Sequence, residues 1–483
     1  HVVAWLSTAG TRSIVPVWAS RQHPSVSEWL DRLREKACGD AACGWCAENH
    51  RPESALHRWY GFSAFRAVPE APDGSSLQRA IVDAALRGKS LFAVLPTGGG
   101  KSLCFQLPAL VRAERTGALT VIVSPLQSLM KDQVDNLREQ GGDAAVVLSG
   151  MLNQPERADA LERIRDGRAS MVYLSPEQLR GKTVRNALAA RRIAAWVFDE
   201  AHCLAKWGHD FRPDYLYAPK FIRKLADEQR AECPPVLCFT ATAQREVIAE
   251  TCEVVREHTG HKLEVFNGGV ARTNLNYVVE RVGGDSRRAK RDALLEWIRG
   301  FRSAGNGSAV VFCATRADTE DVAKLLTAAG LDAKAYHAGL ESHDRRKIQD
   351  EFVRAGDGAV MVATNAFGMG VDKPDVRLVV HYAIPGSLEN YVQEAGRAGR
   401  DGKESTCVLL FDERDVDRQF GFLHRSKLSY ADMASLRRAI TKTAKRVRGK
   451  QARSVVVTGR ELARYASRSF GGAIEEHDVT RVT

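Results

Sequence analysis

Residues 95–102 read Leu-Pro-Thr-Gly-Gly-Gly-Lys-Ser, and these residue types at this spacing suit one kind of chemistry. Glycines let main-chain N–H groups turn inward around phosphate oxygens, a lysine reaches the β- and γ-phosphates, and the next hydroxyl can ligate Mg²⁺. Here those parts are Thr97, Gly98, Gly99, Gly100, Lys101 and Ser102, a P-loop for a nucleotide. Leu91–Leu95 reads as a buried strand entering it and Ser102–Val111 as the helix leaving it. Farther on, Asp199-Glu200-Ala201-His202 follows the apolar run Ala194–Phe198, which places the acids at a strand's C-terminal end, where ligands bind in such sheets. Asp199 would hold Mg²⁺ and Glu200 would orient and polarise the water that attacks the γ-phosphate.

The elements that must hold these residues are legible as short apolar runs alternating with helix-period patterns, in two series that join near Gly268–Asn276. The first is Leu91–Leu95, Thr120–Ser124, Met171–Leu174, Trp196–Phe198 and Val236–Phe239; the second is Ser308–Cys313, Ala333–Tyr336, Ala359–Ala363, Leu378–Tyr382 and Ser405–Leu410. Such alternation predicts an α/β fold of parallel sheets flanked by helices. The expected layout is a small N-terminal extension over 1–55, a first, ATP-binding domain over 56–268, a second domain over 269–415, and a basic, mainly helical appendage over 416–483.

Composition frames the rest. With 483 residues, 44% apolar and 27% charged, the chain has the make-up of a soluble, multidomain globular protein, and no apolar run approaches the ~18 residues of a membrane helix. No basic stretch, apolar core and small-residue cleavage site opens the sequence, which predicts an intracellular, cytoplasmic protein. Nothing resembles a Ser/His/Asp triad, a paired-carboxylate glycosidase site or a dinucleotide fingerprint.

Further segments narrow the reading. Ser124-Pro125-Leu126-Gln127-Ser128-Leu129-Met130-Lys131-Asp132-Gln133 and Leu174-Ser175-Pro176-Glu177-Gln178-Leu179 follow the P-loop, and Thr240-Ala241-Thr242-Ala243 follows the acidic box. The second series contains Ala363-Thr364-Asn365-Ala366-Phe367-Gly368-Met369-Gly370-Val371-Asp372-Lys373-Pro374 and Gln393-Glu394-Ala395-Gly396-Arg397-Ala398-Gly399-Arg400-Asp401-Gly402. Between them stands Trp207-Gly208-His209-Asp210-Phe211-Arg212-Pro213-Asp214-Tyr215. Together these resemble superfamily 2 helicases of the DEAH-box kind and, more narrowly, the RecQ family of DNA helicases, from about Tyr60 to Asp412.

The resemblance implies two tandem RecA-like domains with ATP and Mg²⁺ between them, moving 3′→5′ on single-stranded DNA and unwinding duplexes. It makes Arg400 the arginine finger, with Gln393 and Arg397 beside it, and brings Gly370 and Asp372 to the nucleotide. A guanidinium that arrives only on domain closure couples hydrolysis to motion and is worth ~10³–10⁵ in rate where it has been dissected. Thr240 and Thr242 would link hydrolysis to DNA, and His202 would couple across the cleft. Trp207, His209, Phe211 and Arg212 correspond to the family's aromatic-rich loop. Exposed aromatics there could stack on bases, each worth roughly 1–3 kcal/mol; core packing is the other reading of Trp207 and Phe211. Lys206 replaces the family's usual Gln. Tyr60–Arg66 resembles the adenine-recognition element, with Phe62 to stack and Arg66 and a Gln to contact the base. That Gln ordinarily comes three residues after the Arg; here the candidate is Gln78, twelve after Arg66, opening the helix-like run Leu77–Leu86.

The two ends depart from the family. No cysteine follows Cys407, so the usual four-cysteine zinc subdomain is missing from this sequence. Arg437–Arg468 holds eleven Lys/Arg against Glu461 alone, a block that suits phosphate backbones or forms a solvated basic helix. Cys38, Cys43, Cys46 and His50 cluster as C-x₄-C-x₂-C-x₃-H, a set that could hold structural Zn²⁺, stay unligated, or carry an iron–sulfur cluster. The expected partners are single-stranded and forked DNA, with protein partners in a repair, modification or defence complex, in a bacterial cytoplasm at the nucleoid. The alternative functions are a DNA-stimulated translocase subunit of such a complex without autonomous unwinding, an ATP-dependent clamp, and an RNA helicase.

Overall fold

The computed structural model describes residues 39–40, 42–125, 127–139, 144–150, 152–205, 213–241, 244–269, 272–283, 286–305, 307–368, 373–426, 434, 437–438 and 440–442. Their strands form two sheets. The first is ordered β3 (Ala145–Leu148), β4 (Met171–Leu174), β2 (Leu119–Val123), β5 (Ile193–Phe198), β6 (Val236–Thr240), β1 (Leu91–Val94) and β7 (Glu264–Asn267), with every pair parallel. The second is ordered β10 (Ala333–Tyr336), β11 (Val360–Ala363), β9 (Ser308–Phe312), β12 (Val376–His381), β13 (Ser405–Phe411) and β8 (Leu275–Arg281), its first five strands parallel. These are the two tandem RecA-like α/β domains.

Strands β1, β2, β4, β5 and β6 are buried at every residue. A parallel sheet covered on both faces leaves no side for alternating polar residues, which is why these strands read as continuous apolar runs. On one face Phe92, Val121 and Trp196 pack with Tyr215 and Phe221; on the other Leu91, Val197 and Phe239 pack with Leu56, Ile81 and Phe105. The second sheet repeats the pattern, with Leu294, Ile298 and Leu326 on one side and Phe352, Phe367 and Cys407 on the other.

Three strands were not among the expected runs. β7 and β8 close the edges of their sheets and are largely exposed, so half-polar sequence suffices for them. β3 is also an edge strand, only four residues long. Among the described residues no helix is long and apolar enough to cross a membrane. Residues from Phe411 onward form a separate unit; it contains the helix Glu413–Ser426, with Val416 and Phe420 exposed. Of the basic segment 437–468, only 437, 438 and 440–442 are described, all helical.

Candidate nucleotide-binding and hydrolysis site

A parallel sheet delivers the C-terminal ends of its strands to one edge, and β1, β2, β5 and β6 bring their following residues together there. After β1 the chain turns into the helix Lys101–Thr116, with Gly98 and Gly100 at φ +78, a conformation that L side chains rarely adopt. The glycines, Gly99 between them, leave a cradle at a helix N-terminus, where unpaired N–H groups and the positive end of the dipole favour an anion. Thr97 precedes the cradle, and Ser102 lies half-buried in the helix's first turn. Lys101 Nζ donates to Leu95 O at 3.3 Å. Burial pulls its ammonium below the ordinary value, opposed by the Glu200 and Asp199 carboxylates.

Register explains the acidic half. Val123 of β2 pairs with Phe198 of β5, so the next residues emerge side by side, and Ser124 Oγ donates to Asp199 Oδ2 at 3.3 Å. The main chain is fixed by Asp199 N–H donating to Val123 O at 2.9 Å and by the buried Tyr215 hydroxyl donating to Asp199 O at 3.0 Å. Glu200 takes φ 49 and ψ 50, a left-handed conformation worth roughly 1–2 kcal/mol of strain in an L-residue, of the kind that clusters at functional sites. Burial, and then the charge of Glu200, push the Asp199 carboxyl up, with Lys101 opposing. Glu200 Oε2 is buried and makes no hydrogen bond among the described residues; His202 Nδ1 stands 3.4 Å from it and 2.9 Å from Thr240 Oγ1 at the end of β6. The half-buried Asp199 and Glu200 carboxylates and the Ser102 hydroxyl are hard oxygen donors, and Glu200 Oε2 among them lacks a hydrogen bond among the described residues. A divalent cation such as Mg²⁺ fits that donor set, and Ser102 and Asp199 are the residues that would hold it.

The second domain supplies the facing half. Gln393 lies on the helix Leu388–Ala395, capped by Ser387 Oγ accepting from Asn390 N–H at 3.1 Å. The buried His381, ending β12, stands with Nε2 3.1 Å from the Glu394 carboxylate of this helix. Arg397, buried, and Arg400, half-buried, follow on the loop toward β13. Arg400 packs on the P-loop: a Cβ placed on Gly98 would lie 3.4 Å from Arg400 Cγ.

On the first domain, Phe62 is exposed and stacks beside Tyr60 with centroids 6.1 Å apart. Arg66 Nη1 donates to Gly98 O. Gln78 is buried in the helix Leu77–Leu86, where its Oε1 accepts from Arg66 N–H at 3.1 Å and its Nε2 donates to Gly100 O at 3.2 Å. The inserted loop thus folds back, and the twelve-residue spacing ends in direct contact. Trp207, His209, Phe211, Arg212, Thr242, Gly370, Asp372 and Cys38 lie outside the described residues. Cys43 precedes the helix Gly44–His50, Cys46 is buried in it, and His50 ends it. Among the described residues no three His, Cys, Asp or Glu side chains are grouped to hold a metal.

Two features escaped the sequence. Tyr60 Oη donates to Gln106 Oε1 at 3.0 Å, and Gln106 Nε2 donates to Gln133 Oε1 at 2.7 Å and Tyr173 Oη at 2.8 Å. This chain ties the aromatic element to the P-loop helix and to the segment Ser124–Gln133. A glutamine inside the apolar run Cys104–Leu110 was the available signal, since buried polar groups need partners. The other feature is Arg272, between β7 and β8, whose Nη1 donates to Thr97 O at 2.7 Å; a lone arginine in a connecting segment carries no signal.

Comparison with known proteins agrees with this geometry. Residues 75–251 match the DEAD/DEAH box helicase family and residues 289–402 the helicase conserved C-terminal domain. The chain is 37% identical over 396 residues to the probable ATP-dependent DNA helicase RecS of Bacillus subtilis (strain 168), a match covering 82% of this chain and 73% of that protein. It is also 37% identical over 378 residues to the ATP-dependent DNA helicase RecQ of the same strain, covering 78% of this chain and 59% of that protein. The DUF1998 helicase MrfA, solved bound to DNA and AMPPNP, shares the fold with a TM-score of 0.59 at 22% identity, over 77% of this chain and 52% of that one. On these matches, which span both α/β domains and the site between them, the chain belongs to the RecQ family of ATP-dependent DNA helicases.

Proposed function

We propose that this chain hydrolyses ATP in response to single-stranded DNA, moves 3′→5′ along it, and unwinds duplexes as its two RecA-like domains close. The observation that carries the reading is the packing of Arg400 from the second domain on Gly98 of the P-loop, which makes the hydrolytic site complete only when both domains contribute. ATP is the substrate. The main-chain N–H groups of the P-loop and Lys101 hold its β- and γ-phosphates; Phe62, Arg66 and Gln78 engage the adenine side, and Gly370 and Asp372 approach from the second domain. Bound Mg²⁺ neutralises phosphate charge, with Ser102 and Asp199 as its protein ligands. Glu200 orients the attacking water and accepts its proton, while Gln393, Arg397 and Arg400 stabilise charge developing on the γ-phosphoryl group.

Coupling to DNA is assigned to the aromatic-rich loop, Trp207, His209, Phe211 and Arg212, and to Thr240 and Thr242. The His202–Thr240 contact at 2.9 Å supports a route from the acidic box to the end of β6. Cys46 and His50 fall one turn apart on a single helix, a spacing that a structural Zn²⁺ completed by Cys43 and Cys38 would use, while the described Cys43, Cys46 and His50 are not grouped around one point; stoichiometric zinc in protein purified without a histidine tag is the result that sustains it, and its absence overturns it. Single-stranded and forked DNA in the cytoplasm, at the nucleoid, are the corresponding partner and location. The second reading, a translocase within a larger complex, predicts DNA-stimulated ATPase but no strand displacement by the isolated chain.

The decisive experiment is ATP hydrolysis with no nucleic acid, single-stranded DNA, duplex DNA and single-stranded RNA, alongside Arg400→Ala. Strong stimulation by single-stranded DNA that Arg400→Ala removes supports the reading; equal, weak turnover in all four overturns it. Strand displacement on 3′-tailed and 5′-tailed duplexes then tests polarity.

A further inference from the structure

We infer that Arg272, in the segment joining the two domains, is the positioning residue that seats the arginine-bearing loop of the second domain on the P-loop of the first. Its guanidinium bridges both halves. Nη1 donates to Thr97 O at 2.7 Å and Gly396 O at 3.3 Å, Nη2 donates to Ala398 O at 2.9 Å and Gly399 O at 2.6 Å, and Nε donates to Asn274 Oδ1 at 3.1 Å. Asn274 repeats the grip from the same segment, its Nδ2 donating to Gly399 O at 2.9 Å and Lys403 O at 2.8 Å. The fit at Gly399 is close: a Cβ there would stand 2.5 Å from Asn274 Nδ2.

These bonds act on both partners. A trans peptide is planar, with N–H and C=O pointing oppositely, so a Thr97 carbonyl held by Arg272 turns the Gly98 N–H to the other side. Arg66 holds the next carbonyl, Gly98 O, and the two arginines together set the direction of successive P-loop peptides. On the other side, the loop carbonyls Gly396, Ala398 and Gly399 flank Arg397 and precede Arg400, so the same guanidinium fixes where the finger begins. Every acceptor in these bonds is neutral, so what Arg272 contributes is its rigid five-donor fork. Lysine, a point charge with three donors on a flexible stem, cannot reproduce that.

The inference rests on the reading of Arg400 as the finger, and two measurements separate their failures. The first is a double-mutant cycle on single-turnover ATP hydrolysis with single-stranded DNA, comparing wild type, Arg272→Lys, Arg400→Ala and the double variant. Arg272→Lys should slow hydrolysis about 10²-fold, the scale of a misplacement near 1 Å. The double variant should be no slower than Arg400→Ala alone, because a residue that acts through another loses nothing once the other is gone; losses that multiply would overturn the assignment. If Arg400→Ala alone leaves the rate unchanged, the finger reading has failed.

The second measurement reads the seating itself and does not depend on the finger. Backbone hydrogen exchange over residues 393–404 should slow in the wild type when a non-hydrolysable ATP analogue is added, and much less in Arg272→Lys. Equal slowing in both proteins would overturn the proposal. Should Arg272→Lys fail to fold, Asn274→Ala removes the loop-side bonds to Gly399 and Lys403, and the same loss of protection is expected.

Discussion

Gly396→Ala tests how closely the two domains must meet. Gly396 has φ −64, which alanine adopts without strain, so the substitution reports on clearance alone. The added Cβ would lie 2.9 Å from Thr97 Cβ across the interface, 3.2 Å from Thr97 Oγ1, and 2.9 Å from Val392 O in its own chain. Ordinary carbon contacts begin near ~3.5 Å, so the loop bearing Arg397 and Arg400 must retreat from the P-loop by roughly half an ångström. Misplacement by ~1 Å can cost ~10²-fold in rate; half of that predicts a loss of about tenfold, or about 1.4 kcal/mol on the barrier. The assay is single-turnover ATP hydrolysis with single-stranded DNA. Gly300→Ala serves as the control, because a Cβ there meets nothing within 4 Å. Hydrolysis by Gly396→Ala within twofold of wild type, with an unchanged melting temperature, would refute the claim that the loop seats on the P-loop during the reaction.

Three further outcomes are expected. Gln78→Ala removes the bonds to Arg66 N–H and Gly100 O, each worth about 1 kcal/mol; the KM for ATP should rise roughly tenfold, and an unchanged KM would show that this brace does not shape the nucleotide site. Glu200→Gln removes one of two adjacent half-buried acids and should slow turnover by about 10²–10⁴-fold while ATP-analogue binding persists; turnover within tenfold of wild type would remove Glu200 from the chemistry. Burial, with the Asp135 and Asp350 carboxylates adding to it and Lys131 opposing, pushes Asp132 up to about 6. A carboxyl raised above its unfolded pKa penalises the fold increasingly as pH climbs from the unfolded pKa toward the raised folded one, and fully above the latter. Asp132→Asn should therefore raise the melting temperature at pH 7.5 and by only about half as much at pH 5. The full displacement corresponds to about 3 kcal/mol, and screening at this partly exposed site brings the gain to about 1 kcal/mol. A gain independent of pH would point to a cause other than ionisation.

Much was legible from the sequence because its signals are local. Strands buried on both faces must be continuously apolar, and a phosphate cradle needs glycines beside a lysine and a hydroxyl. Leu91–Val94, Gly98–Ser102 and the acidic pair Asp199-Glu200 could therefore be placed without a structure. Edge strands β7 and β8 could not, since exposed residues are free of that constraint.

What the tertiary structure decided is which distant groups meet. The pairing of Val123 with Phe198 sets Ser124 on Asp199, the fold of the Val68–Ser76 loop returns Gln78 to Arg66 and Gly100, and the crossing between domains brings Arg272 to Thr97 and to the loop of Arg400. Each contact uses a backbone carbonyl or N–H, or a side chain of common type. Such groups occur at nearly every position, so sequence can reveal the capacity for these bonds, while only the packed chain selects the partners.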